Sequence, residues 1–133
     1  MSDKSPHPHF DDRGTLSWHT ALGPALAQAK ADGKKVFIEF GREQCSQCRT
    51  LVQNVVPHPE IAPVLVEHFV ALAADADESE QAVIDLAMKL DDAYMLPFVI
   101  FADADGEFLE GYSGTVTPPY FIRMLPKLTG QGA

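Results

Sequence analysis

Residues 36–50, VFIEFGREQCSQCRT, decide how this chain is read. Val36 to Phe40 is a short, mostly apolar run, as expected of a buried β-strand. Gly41 to Gln44 reads as a loop. From Cys45 to about Val56 the pattern turns helical, and Pro57 and Pro59 end it. The stretch is therefore strand, turn, helix. The 2 cysteines of the chain stand at the junction, Cys45 at the helix start and Cys48 one turn on.

That placement carries a chemical logic. Unpaired N–H groups at a helix start stabilise a thiolate, the species that attacks disulfides. Cys48 falls on the same helix face, close enough to close a ring with Cys45. Cys45 is then the nucleophile and Cys48 the thiol that resolves the mixed disulfide. Arg42 and Arg49 flank the pair and can add positive potential. A structural zinc site needs about four ligands. No second Cys-x-x-Cys exists, and His7, His9, His19, His58 and His68 show no ligand spacing to the cysteines. The alternatives to redox chemistry are an inert reduced pair, or a metal or iron–sulfur site shared by two chains. The position of the pair favours redox.

Working outward, Thr15 to Asp32 has helical spacing, with Pro24 inside it and Gly33 as a stop. Glu60 to Phe69 predicts a short helix with Pro63 in its first turn. Val70 to Ala74 predicts a second buried strand. Asp77 and Glu80 resemble a capping box for a helix from Ser79 to Leu90. Phe98 to Ala102 and Phe108 to Tyr112 predict two strands joined by an Asp-Gly hairpin turn. Thr117-Pro118-Pro119 starts a last helix to about Leu128, ended or bent by Pro126. A βαβ unit followed by a ββα unit predicts an α/β fold: a mixed sheet of about four strands with helices on both faces.

With 133 residues, one domain over 15–133 is expected, preceded by a polar, flexible tail over 1–14. Apolar content of 46% is ordinary for a globular chain. A net charge of -9 argues against nucleic acid or anionic membrane as partner. No apolar run reaches the ~18 residues that span a bilayer. The first residues lack a signal-peptide core, so the chain as written reads as cytoplasmic. A chain already trimmed of its leader would read the same and be extracytoplasmic.

With these residues in view, the chain resembles the thioredoxin superfamily over about Trp18 to Leu128. It is most similar to the branch of small endoplasmic-reticulum and bacterial exported disulfide proteins. The resemblance rests on the CSQC pair, on Glu39 six residues before Cys45, on Leu96-Pro97 before the third strand, and on Gly114 eight residues after Gly106. It implies a thioredoxin-like fold, with Glu39 in the place of a buried acid that exchanges a proton with Cys48. It implies a cis bond before Pro97, with the Met95–Leu96 backbone pairing with an extended peptide. Gln44, Ser46, Gln47 and Gly114 would complete the substrate surface. Gly114 would permit close packing near the site.

The sequence departs from thioredoxins at Gln44, where Trp is usual, at Ser46-Gln47 between the cysteines, and at Phe98 after the proline. No Lys or Arg stands between Thr50 and Met88, so the lysine that accompanies the buried acid has no counterpart there. Glu39 is then expected to be poorly compensated, with a raised pKa. The resulting expectation is a monomeric thiol–disulfide oxidoreductase without cofactor or metal. Its partners would be protein or peptide disulfides and dithiols, and a protein that donates or accepts electrons. The rival from another class is a redox-inactive peptide-binding or chaperone module of the same fold.

Overall fold

The computed structural model describes residues 5–90, 95–114 and 117–130. Five strands form one sheet: β1 (Trp18–His19), β2 (Lys35–Gly41), β3 (Phe69–Asp75), β4 (Phe98–Ala102) and β5 (Phe108–Ser113), in the order β1-β3-β2-β4-β5. β1, β3 and β2 are parallel, whereas β4 and β5 run antiparallel to their neighbours. The sheet is mixed, as the order of elements predicts.

Helices cover both faces because the inner strands are apolar on both sides. Val36, Ile38 and Phe40 of β2 join Val70, Leu72 and Ile100 in one core, packed beneath α1 (Leu22–Asp32) and α4 (Gln81–Ala87). Phe37 points the other way. It joins Phe69, Val99, Phe101, Phe121 and Cys48 beneath α2 (Ser46–Thr50), α3 (Ala62–His68) and α5 (Pro118–Thr129). Strand alternation puts Glu39 on the Phe37 face, the face that carries Cys48.

Several expectations need correcting. Trp18 and His19 are not helical. They pair with Ala71 and Leu72 as an edge strand, and α1 begins only at Leu22. The helix after Cys45 is not uniform: α2 runs into a π-helical turn over Leu51–Val55, where the Val56 N–H reaches the Leu51 carbonyl at 2.9 Å. The Asp77–Glu80 capping box does not form. α4 spans only Gln81–Ala87, and the Glu80 carboxylate instead accepts the Leu22 N–H at 2.7 Å. Pro126 does not end α5, which continues to Thr129.

The largest correction concerns the flexible tail. Residues 1–4 lie outside the described residues, but residues 5–14 pack onto the domain, with His7, Phe10 and Asp12 buried. The reason is local. Asp12 Oδ2 accepts the Leu16 N–H at 2.9 Å and the Trp18 indole N–H at 2.8 Å. Its Oδ1 accepts the Gly14 and Thr15 N–H groups at 3.1 and 3.3 Å. Four donors satisfy a buried carboxylate that would otherwise be costly. Burying Phe10 adds about 1.5–3 kcal/mol. The segment reads as polar, yet it carries its own anchors.

Candidate active site

The C-terminal end of β2 and the start of α2 build the site. Cys45 is the N-cap residue of α2, with extended backbone, and its Sγ accepts the Cys48 N–H at 3.1 Å. A disulfide joins Cys45 to Cys48, with their Cα atoms 5.2 Å apart. Cys45 is half-buried, while Cys48 is fully buried in the core. The two sulfurs are thus unequal: Cys45 is partly exposed, and Cys48 is buried.

An open cleft of about 630 Å³ borders Cys45. Gln44, Ser46 and Arg49 line it, together with His9 and Phe10 from the N-terminal segment. Arg42 is turned elsewhere, paired with Asp77 at 3.0 Å. Gln47 is half-buried and does not line this cleft. Met95 is exposed; Leu96 is half-buried and packs, like Cys45, against the core that holds Cys48. The Leu96–Pro97 bond is cis. Pro97 is buried, and its carbonyl accepts the Gly114 N–H at 3.0 Å. Close packing does not explain Gly114. Among the described residues beyond its chain neighbours, nothing lies within 4 Å of where its Cβ would stand, and the demand for glycine is its φ of +98°.

Glu39 sits behind the disulfide, 2% exposed. Its strand neighbours are Ala73 on β3 and Val99 on β4, neither able to hydrogen-bond through its side chain. Burial raises the Glu39 pKa above the usual carboxylate range; the His7 hydrogen bond and the His7 and His9 rings work against this, and Asp75 adds to it. The carboxyl is therefore not as uncompensated as the missing lysine suggests. His7 Nε2 lies 2.7 Å from Glu39 Oε1, both groups buried. Sequence reasoning placed His7 in the tail and missed it. The signal was present in Asp12 and Phe10, an acid and an aromatic that give a polar segment something to bury.

Gly41 was missed as well. A Cβ at this position would stand 2.5 Å from Glu39 Oε2 and 2.6 Å from Cys48 Sγ. Carboxyl and sulfur therefore border one small space that only glycine leaves open.

A family model described as thioredoxin-like matches residues 17–104, and the chain belongs to that family. It is 33% identical over 86 residues to the thiol:disulfide interchange protein DsbD of Vibrio cholerae, a match covering 65% of this chain and 14% of DsbD. The chain spans only 10% to 14% of the curated relatives it matches. Among solved structures, a thioredoxin from Thermus thermophilus aligns with TM-score 0.68 and 23% identity, over 90% of this chain and 92% of that one. A putative disulphide-isomerase from Bacteroides thetaiotaomicron aligns with TM-score 0.69 and 21% identity, over 89% and 95% of the two chains. These similarities show the thioredoxin-like fold. Among the described residues no helix is long and apolar enough to cross a membrane.

Proposed function

We propose that the chain is a thiol–disulfide oxidoreductase acting on protein disulfides through Cys45 and Cys48. The observation that carries this reading is the unequal pair: Cys45 half-exposed beside an open cleft, its sulfur accepting the Cys48 N–H, and Cys48 buried behind it. The N–H that bonds sulfur in the disulfide is placed to hold the Cys45 thiolate once the bond is reduced.

In the reducing direction the Cys45 thiolate attacks one sulfur of a substrate disulfide. A Cys45–substrate bond forms, and the other substrate sulfur leaves as a thiolate that takes a proton from water. Cys48 then gives its proton to Glu39 and attacks Cys45 Sγ. The Cys45–Cys48 bond forms, the second substrate thiolate leaves, and two electrons have passed to the substrate. A dithiol protein reverses these steps and restores the reduced pair. Glu39 is the proton carrier in both directions. Gln44, Ser46 and Gln47 flank the attack, and the Met95–Leu96 backbone beside Pro97 pairs with the substrate peptide as an added strand. Reduction of substrates suits a cytoplasmic setting, and oxidation or isomerisation an extracytoplasmic one.

The test is substrate trapping. Cys48→Ser should accumulate mixed disulfides between Cys45 and protein substrates, and Cys45→Ser should accumulate none. If both variants, and the double variant, bind substrate peptides as the native chain does while no form turns over a protein disulfide, the protein is a binding module instead.

A further inference from the structure

We propose that His7 is the positioning residue of the proton relay, holding Glu39 Oε1 so that Oε2 stays turned toward Cys48 across Gly41. This rests on the reading of Glu39 as proton carrier for Cys48. The argument begins with the ring nitrogens. His7 Nδ1 accepts the backbone N–H groups of His9 and Phe10 at 3.0 and 3.2 Å. Facing two donors, Nδ1 carries no proton in this arrangement, so the ring proton sits on Nε2 and is donated to Glu39 Oε1 at 2.7 Å. The ring is fixed from its sides as well. Phe10 stacks on it at 5.3 Å, and Trp18 meets it edge-on at 4.8 Å. Asp12, bonded to the Trp18 indole, ties this segment to the sheet edge.

The surroundings leave this task to His7. From β3 and β4 Glu39 faces Ala73 and Val99, and from α2 it faces the Cys48 sulfur across Gly41. Among the described residues, the other charged groups that act on it are His9 and Asp75, and Glu78 and Glu80 line the same cleft. His9 and Asp75 lie 3.9 Å apart and face one another. Among the described residues, His7 is the side chain that hydrogen-bonds Glu39.

The same segment also shapes where protons go. A cleft of about 200 Å³, lined by His7, His9, Glu39, Gly41 and Asp75, with Glu78 and Glu80 at its wall, opens beside the relay. It is distinct from the cleft at Cys45, with which, among the described residues, it shares only His9. A substrate lying over Cys45 therefore leaves this second opening free. Glu39 can pass its proton to water there while the substrate is still attached.

The step to measure is resolution. One equivalent of dithiobis(nitrobenzoate) is added to the reduced protein. Cys45 attacks the aryl disulfide and one thionitrobenzoate leaves in a first phase. Cys48 then gives its proton to Glu39, bonds to Cys45 sulfur, and the second thionitrobenzoate leaves. The second-phase rate should rise with pH as Glu39 ionises, and Glu39→Gln should flatten that rise. His7→Leu should move the rise to higher pH and slow the phase about tenfold at neutral pH, the loss of a hydrogen bond to a charged group. His7→Gln, whose amide can donate from the same place, should recover part of the rate. On the Glu39→Gln background His7→Leu should change nothing further.

If His7→Leu follows the native profile while Glu39→Gln flattens it, the positioning role is overturned and the relay stands. If Glu39→Gln also follows the native profile, the relay itself is wrong. Should His7→Leu not fold, histidine nitrogen shifts of the native reduced protein decide. His7 should show the proton on Nε2 and respond to the Glu39 titration, and a proton on Nδ1 or no response would overturn the proposal.

Discussion

Replacing Gly41 with alanine puts a methyl group 2.5 Å from Glu39 Oε2 and 2.6 Å from Cys48 Sγ. Neither neighbour can yield easily. Glu39 is held by His7 on one side, and Cys48 is closed into the disulfide ring and fully buried. Gly41 is an extended β2 residue without positive φ, so alanine meets no backbone penalty there. Its stiffer unfolded chain would by itself add about 0.4–1 kcal/mol. The overpacking opposes this with about 1–3 kcal/mol and decides the sign. Net destabilisation of about 1–2 kcal/mol corresponds to a melting temperature lower by roughly 3–10 °C for a chain of this size. Once the disulfide is reduced, the Cys48 side chain is free to turn away, so the oxidised form should lose more than the reduced one. Each ~1.4 kcal/mol of that difference raises the reduction potential by about 30 mV. Thermal melts of both redox forms, with a glutathione titration, measure all of this. A Gly41→Ala protein melting at or above the native temperature in both states would refute the account of the space between carboxyl and sulfur.

Asp12→Ala removes the acceptor of four N–H donors and should lower stability by about 2–4 kcal/mol in urea titration. It should also loosen His7, so the second-phase rate of the aryl-disulfide reaction should fall with it. Glu39 shapes the stability–pH curve in a definite direction. Its folded pKa lies above the usual 4.5, so the folded state holds the proton more tightly than the unfolded one. Its contribution is most favourable below 4.5 and is lost as pH rises toward the folded value. The native protein should therefore lose stability relative to Glu39→Gln as pH rises through that window, read from denaturant midpoints at each pH. Cys45→Ser should abolish protein-disulfide turnover, and Cys48→Ser should leave substrate trapped on Cys45, both visible on non-reducing gels.

The framework of the fold was legible because periodicity and punctuation agreed. The apolar runs at Val36–Phe40, Val70–Ala74 and Phe98–Ala102 are strands, and the Asp-Gly turn joins β4 to β5. The cysteine pair was legible because it sits where a strand meets a helix. What escaped were features set by distant partners. Trp18 reads as helical by spacing, yet its indole bonds Asp12 and its backbone pairs with β3. Glu80 reads as part of a local cap, yet it serves Leu22, far away in the chain. His7 lies in a stretch whose composition says tail. Its partner Glu39 is 32 residues further on, a distance over which local pattern is silent. Gly41 has no special backbone angle, and its role is visible only once both the carboxyl and the sulfur are placed.

The central claim is that Cys45 and Cys48 form a working redox couple, and the reduction potential tests it most directly. Titration against glutathione or dithiothreitol should show a reversible two-electron couple between ~-270 mV and ~-120 mV, the range of thiol–disulfide exchange proteins. The couple should vanish in Cys45→Ser. A value near the lower end fits a reductase, and one near the upper end fits an oxidase or isomerase. A native protein with no reversible couple, or one unchanged by Cys45→Ser, would contradict the account.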